Sequence, residues 1–304
     1  MYELVPIDVG FNTSILAGQV APTSIKMYER DFRAYLKFAV TPENALQSET
    51  LARWRTVLVN ETRMSPNTIN RMLSAVKRLM AEAASQGYTT HDNADNFKRI
   101  HGVKVGAMKE RVRIANRVRI DKEIMRTIVS SVNTGTLIGL RNKALLATLA
   151  SSGLRIGEFT RLKREQLRRS GKEYLLHMYA EQGKNQTEDR DALISQEAAE
   201  AIEKWLDARQ VVSEYIFTSF EGNGDSRALA KPISPQGAWL LIKEATEPFV
   251  PNVKPHDFRR FLGTNLIKKK GIRIAQQALG HKNIAITAHY DLAEIEAGIS
   301  NDLF

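Results

Sequence analysis

Cysteine is absent from the 304 residues. That excludes disulfides, thiolate catalysis and zinc sites built on sulfur, and it fits a cytosolic chain. No run of 18 apolar residues occurs, so no segment is expected to span a bilayer. The opening MYELVPIDVG carries acids and no basic stretch, so no secretory signal is expected. Several enzyme signatures are missing as well. The six histidines show no HExxH or HxxxH spacing, and there is neither a P-loop nor a GxSxG. No grouping of carboxylates suggests a metal-dependent nuclease. Neither a metal nor a cofactor is expected.

What is present is an ordinary globular inventory, with 43% hydrophobic and 26% charged residues. At ~100–200 residues per domain the length suggests two domains. The net charge is +10 and the pI about 9.7, which favours an anionic partner, nucleic acid first. Residues 1–120 hold 18 Lys/Arg against 11 Asp/Glu, a surplus of 7. The remaining residues hold 26 against 23, a surplus of 3, so the first part carries most of the excess.

Residues 1–100 read as an all-helical module. Tyr28, Phe32, Tyr35, Leu36 and Ala39 share one face of a helix over 22–39. Ser48 is placed to cap a second helix carrying Leu51, Trp54, Val57 and Leu58. Ser65-Pro66 starts a third, with Ile69, Met72, Val76, Leu79 and Ala83 on its stripe and Gly87 as its stop. A short fourth helix is expected over 92–99. The apolar stripes read as core.

Residues 98–120 break the pattern and read as a basic interdomain linker, placed at 101–120. Lys98, Arg99, Lys104, Lys109, Arg111, Arg113, Arg117 and Arg119 stand against one acid, Glu110. A solvated loop would have similar charge, but this density favours contacts to phosphates, each of which steepens the salt dependence of binding.

A second domain is expected over 121–304, starting at Asp121 as an N-cap. Arg141–Leu149 reads as an apolar helix, and Gly153 interrupts before a further helix. EYLLHMY, the turn-like EQGKNQTEDR and DALI predict a small antiparallel hairpin. Helices are expected over 196–209, 235–247, 257–270 and 273–279. The tail over 292–304 places Leu292, Ile295, Ile299 and Leu303 on one stripe.

Within this domain a series of basic and titratable residues stands in order: Arg155 in GLRIGE, Lys184 in the hairpin turn, His256 and Arg259 as HxxR, His281 in LGH, and Tyr290 nine residues later. The series resembles that of the tyrosine recombinase (phage integrase) family. Singly, each residue has a blander explanation in a surface ion pair, a solvent-facing turn or a core side chain. Six in order at these spacings are specific. There are departures: the hairpin reads GKNQTEDR where relatives often have GKGxK, Arg260 follows HxxR, and His289 directly precedes Tyr290.

The resemblance implies a fold that is mainly α with a small antiparallel β-sheet. It pairs an all-helical core-binding (SAM-like) N-terminal domain with a tyrosine recombinase catalytic domain. It also implies a site-specific recombinase acting through a covalent 3′-phosphotyrosine, with Lys184 protonating the leaving 5′-oxygen. The chemistry accounts for the other residues. Phosphodiester transfer spreads negative charge over equatorial oxygens, and positioned cations stabilise it. Arginine suits this because its planar fork binds phosphate bidentately and keeps its charge, so Arg155 and Arg259 would form the clamp. A phenol with an ordinary pKa of ~10 needs a base and nearby cations to become a nucleophile. His256 would be the base for Tyr290, and His281 would hydrogen-bond a phosphate oxygen. Glu158 is placed to hold Arg155 or its helix.

The first predicted helix begins near residue 22, which leaves no room for a further arm-binding domain. The simple two-domain, Xer-like or resolvase type is therefore expected. By resemblance, the partners would be double-stranded DNA with an inverted-repeat core site and other copies of the chain in a homo-tetramer. The C-terminal stripe would dock on a neighbour or on its own subunit, accessory proteins could join, and the setting would be cytoplasmic and nucleoid-associated. Two alternatives are a type IB topoisomerase-like enzyme and a DNA-binding protein with a decayed site.

Overall fold

Side-chain chemistry sets most helix boundaries in the computed structural model, which describes residues 8–111, 118–180, 189–222 and 227–290. The chain divides into two compact units, Met1–Ala115 and Asn116–Phe304.

In the first unit, helices α1 (Pro22–Ala39), α2 (Pro42–Ala45), α3 (Ser48–Glu61), α4 (Pro66–Ser85) and α5 (His91–Arg99) surround one core. Pro occupies the first turn of α1, α2 and α4, where its missing N–H has no intrahelical partner to lose. The Ser65 hydroxyl accepts from the Thr68 N–H and starts α4. Helix α4 packs against α1, α3 and α5. Its stripe Ile69, Leu73, Val76 and Leu79 meets Tyr35, Leu51, Trp54 and Phe97 in a fully buried cluster. Two local expectations differ. Ser48 is the first helical residue, with Gln47 at the cap position, and α2 intervenes ahead of it, started by the Thr41 hydroxyl.

The basic segment also differs from a plain loop. Residues Val105–Arg111 form a kinked 3-10 turn that packs on α4 and buries Met108. The Arg111 guanidinium donates to the carbonyls of Val59 and Thr62, at the end of α3. An arginine expected to reach for phosphate is thus drawn onto the open carbonyls of a helix end.

The second unit contains α6 (Lys122–Ser130), α7 (Leu137–Ser152), α8 (Ile156–Phe159), β1 (Leu167–Ser170), β2 (Glu173–Met178), β3 (Arg190–Ile194), α9 (Gln196–Ala208), β4 (Thr218–Phe220), β5 (Ala228–Pro232), α10 (Pro235–Thr246), α11 (Pro255–Lys270), α12 (Ile272–Leu279) and α13 (Ile284–Ala288). Strands β1, β2 and β3 form an antiparallel sheet in that order, and β4 and β5 form a second antiparallel pair. Asp121 caps α6 as expected, its carboxylate accepting from the Ile124 N–H. Helix α7 is longer than its apolar stretch and packs against both α9 and α11. Ala144 to Leu149 are consecutively buried, because a helix enclosed by neighbours shows no polar face. Strand β1 and the β4–β5 pair lie beyond the elements expected from sequence. LRRS is exposed at three of its four positions, so its place in the sheet is made by backbone pairing rather than by an apolar pattern.

Candidate active site

The end of α7 meets α11 and α12 and is followed directly by α8. Gly153 adopts a left-handed φ of +60° and stops that helix, as glycine allows. A β-carbon there would come within 2.9 Å of Leu262. Arg155 follows as the N-cap of α8. Glu158, one turn on, accepts from the Arg155 N–H through Oε2 (3.0 Å) and from Arg155 Nη1 through Oε1 (2.8 Å). Its Oε2 also accepts from Arg190 Nη2 at 3.0 Å. Glu158 is buried, which alone would raise its pKa. The guanidinium of Arg190 and the bonds from Arg155 outweigh burial and hold it below the ordinary carboxylate range.

Arg259 projects from α11 and is 1% exposed. Its Nη1 donates to the Gly153 carbonyl at 2.6 Å and its Nη2 to the Leu279 carbonyl, so one guanidinium ties the end of α7 to the end of α12. Burial pulls its pKa down to about 10, which leaves it charged at neutral pH. Its Nε–H is buried with no partner among the described residues. Arg155 is about a third exposed, so the two arginines present one sealed and one open cation.

Helix α12 ends at Gly280, in a left-handed turn, and His281 follows. The ring of His281 pairs through Nδ1 with the Thr287 hydroxyl at 2.8 Å. Burial, then Arg259 and Arg155, push its pKa down to about 4. His256, in the first turn of α11, is also lowered, by burial and then by Arg260 and Arg259. Its Nε2 lies 3.0 Å from the Tyr290 hydroxyl. A neutral imidazole can accept from that hydroxyl.

Tyr290 stands just after α13 and is 5% exposed. Its N–H donates to the Thr287 carbonyl (2.9 Å), and its carbonyl accepts from the Thr264 hydroxyl (2.7 Å). The ring lies against Gly263, where a β-carbon would fall 2.7 Å from Tyr290 Cδ2. Gly263→Ala is therefore expected to displace the Tyr290 ring. Any reaction at the Tyr290 hydroxyl should slow about 10²-fold, the size expected when a reacting group moves by about 1 Å. Circular dichroism should stay helical, because alanine is the better helix former.

The lowered imidazoles also set an acid limit on stability. Below pH 6.5, the ordinary histidine value, the unfolded chain takes up a proton that His281 in the fold refuses. Its contribution is therefore intact above about 6.5 and is lost as the pH falls toward 4, by at most about 3 kcal/mol. His256 adds in the same direction. Urea midpoints at neutral pH and near pH 5 should differ, and His281→Gln should shrink the difference.

The structure thus brings together Arg155, His256, Arg259, His281 and Tyr290. Lys184 lies outside the described residues, as do Arg113, Arg117 and the stripe of Leu292, Ile295, Ile299 and Leu303. Lys98, Arg99, Lys104 and Lys109 are exposed in the first unit, Lys98 pairing with Asp95, and Arg119 is exposed in the second. Three contributors do not stand out in the sequence: Arg190, Thr264 and Gly263. Only the last carries a signal there, as a glycine inside a helical pattern.

A model of the phage integrase family matches residues 118–294, and a model of the phage integrase N-terminal SAM-like domain matches residues 11–87. The chain belongs to the phage integrase family. This integrase is 24% identical over 298 residues to the tyrosine recombinase XerD of Listeria innocua serovar 6a, covering 93% of this chain and 92% of the relative. It is 26% identical over 278 residues to the tyrosine recombinase XerC of Pseudomonas aeruginosa, covering 90% and 84%. Its fold is shared with XerH site-specific recombinase bound to a palindromic difH substrate, at a TM-score of 0.69 and 14% identity, over 94% of this chain and 80% of the other. It is also shared with the Tn1549 transposon integrase in complex with circular intermediate DNA, at a TM-score of 0.67 and 14% identity, over 98% and 99%. The integrase is a tyrosine site-specific recombinase with a helical SAM-like domain and a catalytic domain. No helix among its described residues is long and apolar enough to cross a membrane.

Proposed function

We propose that the integrase cuts duplex DNA at a specific site by attack of the Tyr290 hydroxyl on the scissile phosphorus. The P–O bond to the 5′-oxygen breaks, a 3′-phosphotyrosine forms, and the reverse attack by a 5′-hydroxyl of a partner strand rejoins the DNA. The observation that carries this reading is the 3.0 Å contact of Tyr290 with His256, in a site that also holds Arg259 and Arg155.

His256 receives the phenol proton as the P–O bond forms. Its lowered pKa keeps it neutral and able to accept at physiological pH. Arg155 and Arg259 stabilise the charge that builds on the phosphorane oxygens. A buried N–H without an acceptor is disfavoured by ~1–3 kcal/mol, and a phosphate oxygen would satisfy Arg259 Nε–H. With its Nδ1 engaged by Thr287, His281 has Nε2 left for a phosphate oxygen. Lys184 gives a proton to the departing 5′-oxygen. The phosphotyrosine conserves the energy of the broken ester, so rejoining needs no nucleotide.

The DNA is a core site of inverted repeats around a short spacer, held by four copies of the chain in the cytoplasm. Lys98, Arg99, Lys104, Lys109, Arg113, Arg117 and Arg119 contact its phosphates, while Arg111 mainly stiffens the first unit through its carbonyl bonds.

Covalent capture tests the proposal. The protein is incubated with fragmented genomic DNA of its source and denatured in SDS. Linked fragments are then sequenced at their junctions, and the modified peptide is identified by mass spectrometry. One recurrent junction attached through its 3′-phosphate to Tyr290 is the expected result. DNA binding with no adduct, even on nicked duplexes that trap the intermediate, would overturn it.

A further inference from the structure

We propose that Arg190 is a positioning residue of this active site, holding Arg155 through Glu158 and holding the His281 turn through Gly280. The inference rests on the DNA-cleaving reading of the site. Arg190 opens β3 and its side chain is 11% exposed. Its Nη2 meets Glu158 Oε2 at 3.0 Å. The same carboxylate takes the Arg155 N–H on that oxygen and Arg155 Nη1 on the other. One buried acid therefore orients two guanidiniums, one from α8 and one from the sheet.

The second contact is steric. A β-carbon on Gly280 would lie 2.6 Å from Arg190 Cδ and 2.7 Å from its Nε. The arginine thus lies flat on the left-handed turn whose next residue is His281. Residues from α8, β3 and the end of α12 are coupled through this one side chain.

Charge distinguishes this arrangement from a plain structural strut. Arg155, Arg190 and Arg259 all act electrostatically on one another, and Glu158 is the acid between them. Burying like charges is unfavourable for stability alone, and apolar residues of similar size usually serve a core at least as well. An excess of fixed positive charge is what a phosphoryl-transfer transition state uses. The charged groups facing Glu158 are Arg155 from its own helix, Arg190 from β3 and Arg259 from α11. Helix α10, which packs on α8, adds none among the described residues.

Two measurements on the full chain test the assignment. In the free protein, the carbon-13 carboxyl signal of Glu158 is titrated in wild type, Arg190→Gln and Arg190→Lys. Loss of the cation should raise the Glu158 pKa in Arg190→Gln, and Arg190→Lys should largely restore it. Adduct formation is then timed on the genomic fragments that wild type captures, from about pH 5 to about pH 8, where imidazoles titrate. Arg190→Gln should slow it about 10²-fold, as expected for a catalytic group displaced by about 1 Å. The acid limb of the profile should move to higher pH. Non-covalent binding of the same fragments, measured in a Tyr290→Phe background, should be unchanged. An unshifted Glu158 titration, a wild-type rate and pH profile in Arg190→Gln, or equal loss of melting cooperativity in both variants would each overturn the proposal. Absence of adduct in wild type, on nicked duplexes as well, would instead overturn the cleavage reading, and the carboxyl titration would still decide the Arg190–Glu158 linkage.

Discussion

Tyr290→Phe should leave the integrase folded and bound to DNA while covalent attachment disappears. The hydroxyl that is removed makes its hydrogen bond to His256. Everything that places the ring is retained. The Thr264 hydroxyl still donates to the residue's carbonyl, its N–H still reaches Thr287, and the ring still fits against Gly263. One neutral hydrogen bond contributes about 1 kcal/mol net, so the melting temperature should move little. The rate should fall by a factor on the order of 10⁶, as when a nucleophile that acts as a unit with its base is deleted. His256→Gln should lose less, about 10²–10⁴, because a general base accelerates a reaction that its substrate can still undergo. SDS-resistant adducts and thermal melts read both effects. If Tyr290→Phe still forms the adduct, another side chain is the nucleophile.

Arg259→Met should damage stability and chemistry together. The native side chain satisfies the carbonyls of Gly153 and Leu279 inside the protein. Methionine fills much of the volume and leaves both oxygens without a donor, at about 1–3 kcal/mol each. The ends of α7 and α12 should loosen, carrying Arg155 and His281 with them. With Arg259 in its proposed place at the phosphate, loss of the cation should cost a further ~10²–10³ in rate, the size seen when one preorganised donor is deleted. Arg259→Lys should fall between these results. Its single ammonium keeps the charge but cannot span two carbonyls and a phosphate as a planar fork does. Urea denaturation and timed adduct formation separate the two losses. An Arg259→Met protein of wild-type stability would show that the two carbonyl bonds do not hold these helix ends.

Much of this molecule is legible in its amino-acid sequence. Ser65-Pro66, Asp121 and Gly153 act on their own backbone within a few residues, so their helix ends follow from local chemistry. The apolar stripes of α1 and α4 follow from helical period. The candidate residues Arg155, His256, Arg259, His281 and Tyr290 are legible because their types and order carry the chemistry.

Pairing at a distance is not legible there. Strand β1 is nearly all polar, and its sheet register exists only once β2 is beside it. The bonds from Arg111 to two carbonyls at the end of α3 are likewise made only once that helix is in place. Which groups can bear charge, give up a proton or end a helix is readable from the residues in order, because those properties belong to single residues and their near neighbours. The tertiary structure alone decided which of those groups meet. Arg259 reaches Gly153 across 106 residues of chain, and Glu158 reaches Arg190 across 32, and such contacts form only when the packed core brings distant helices and strands together.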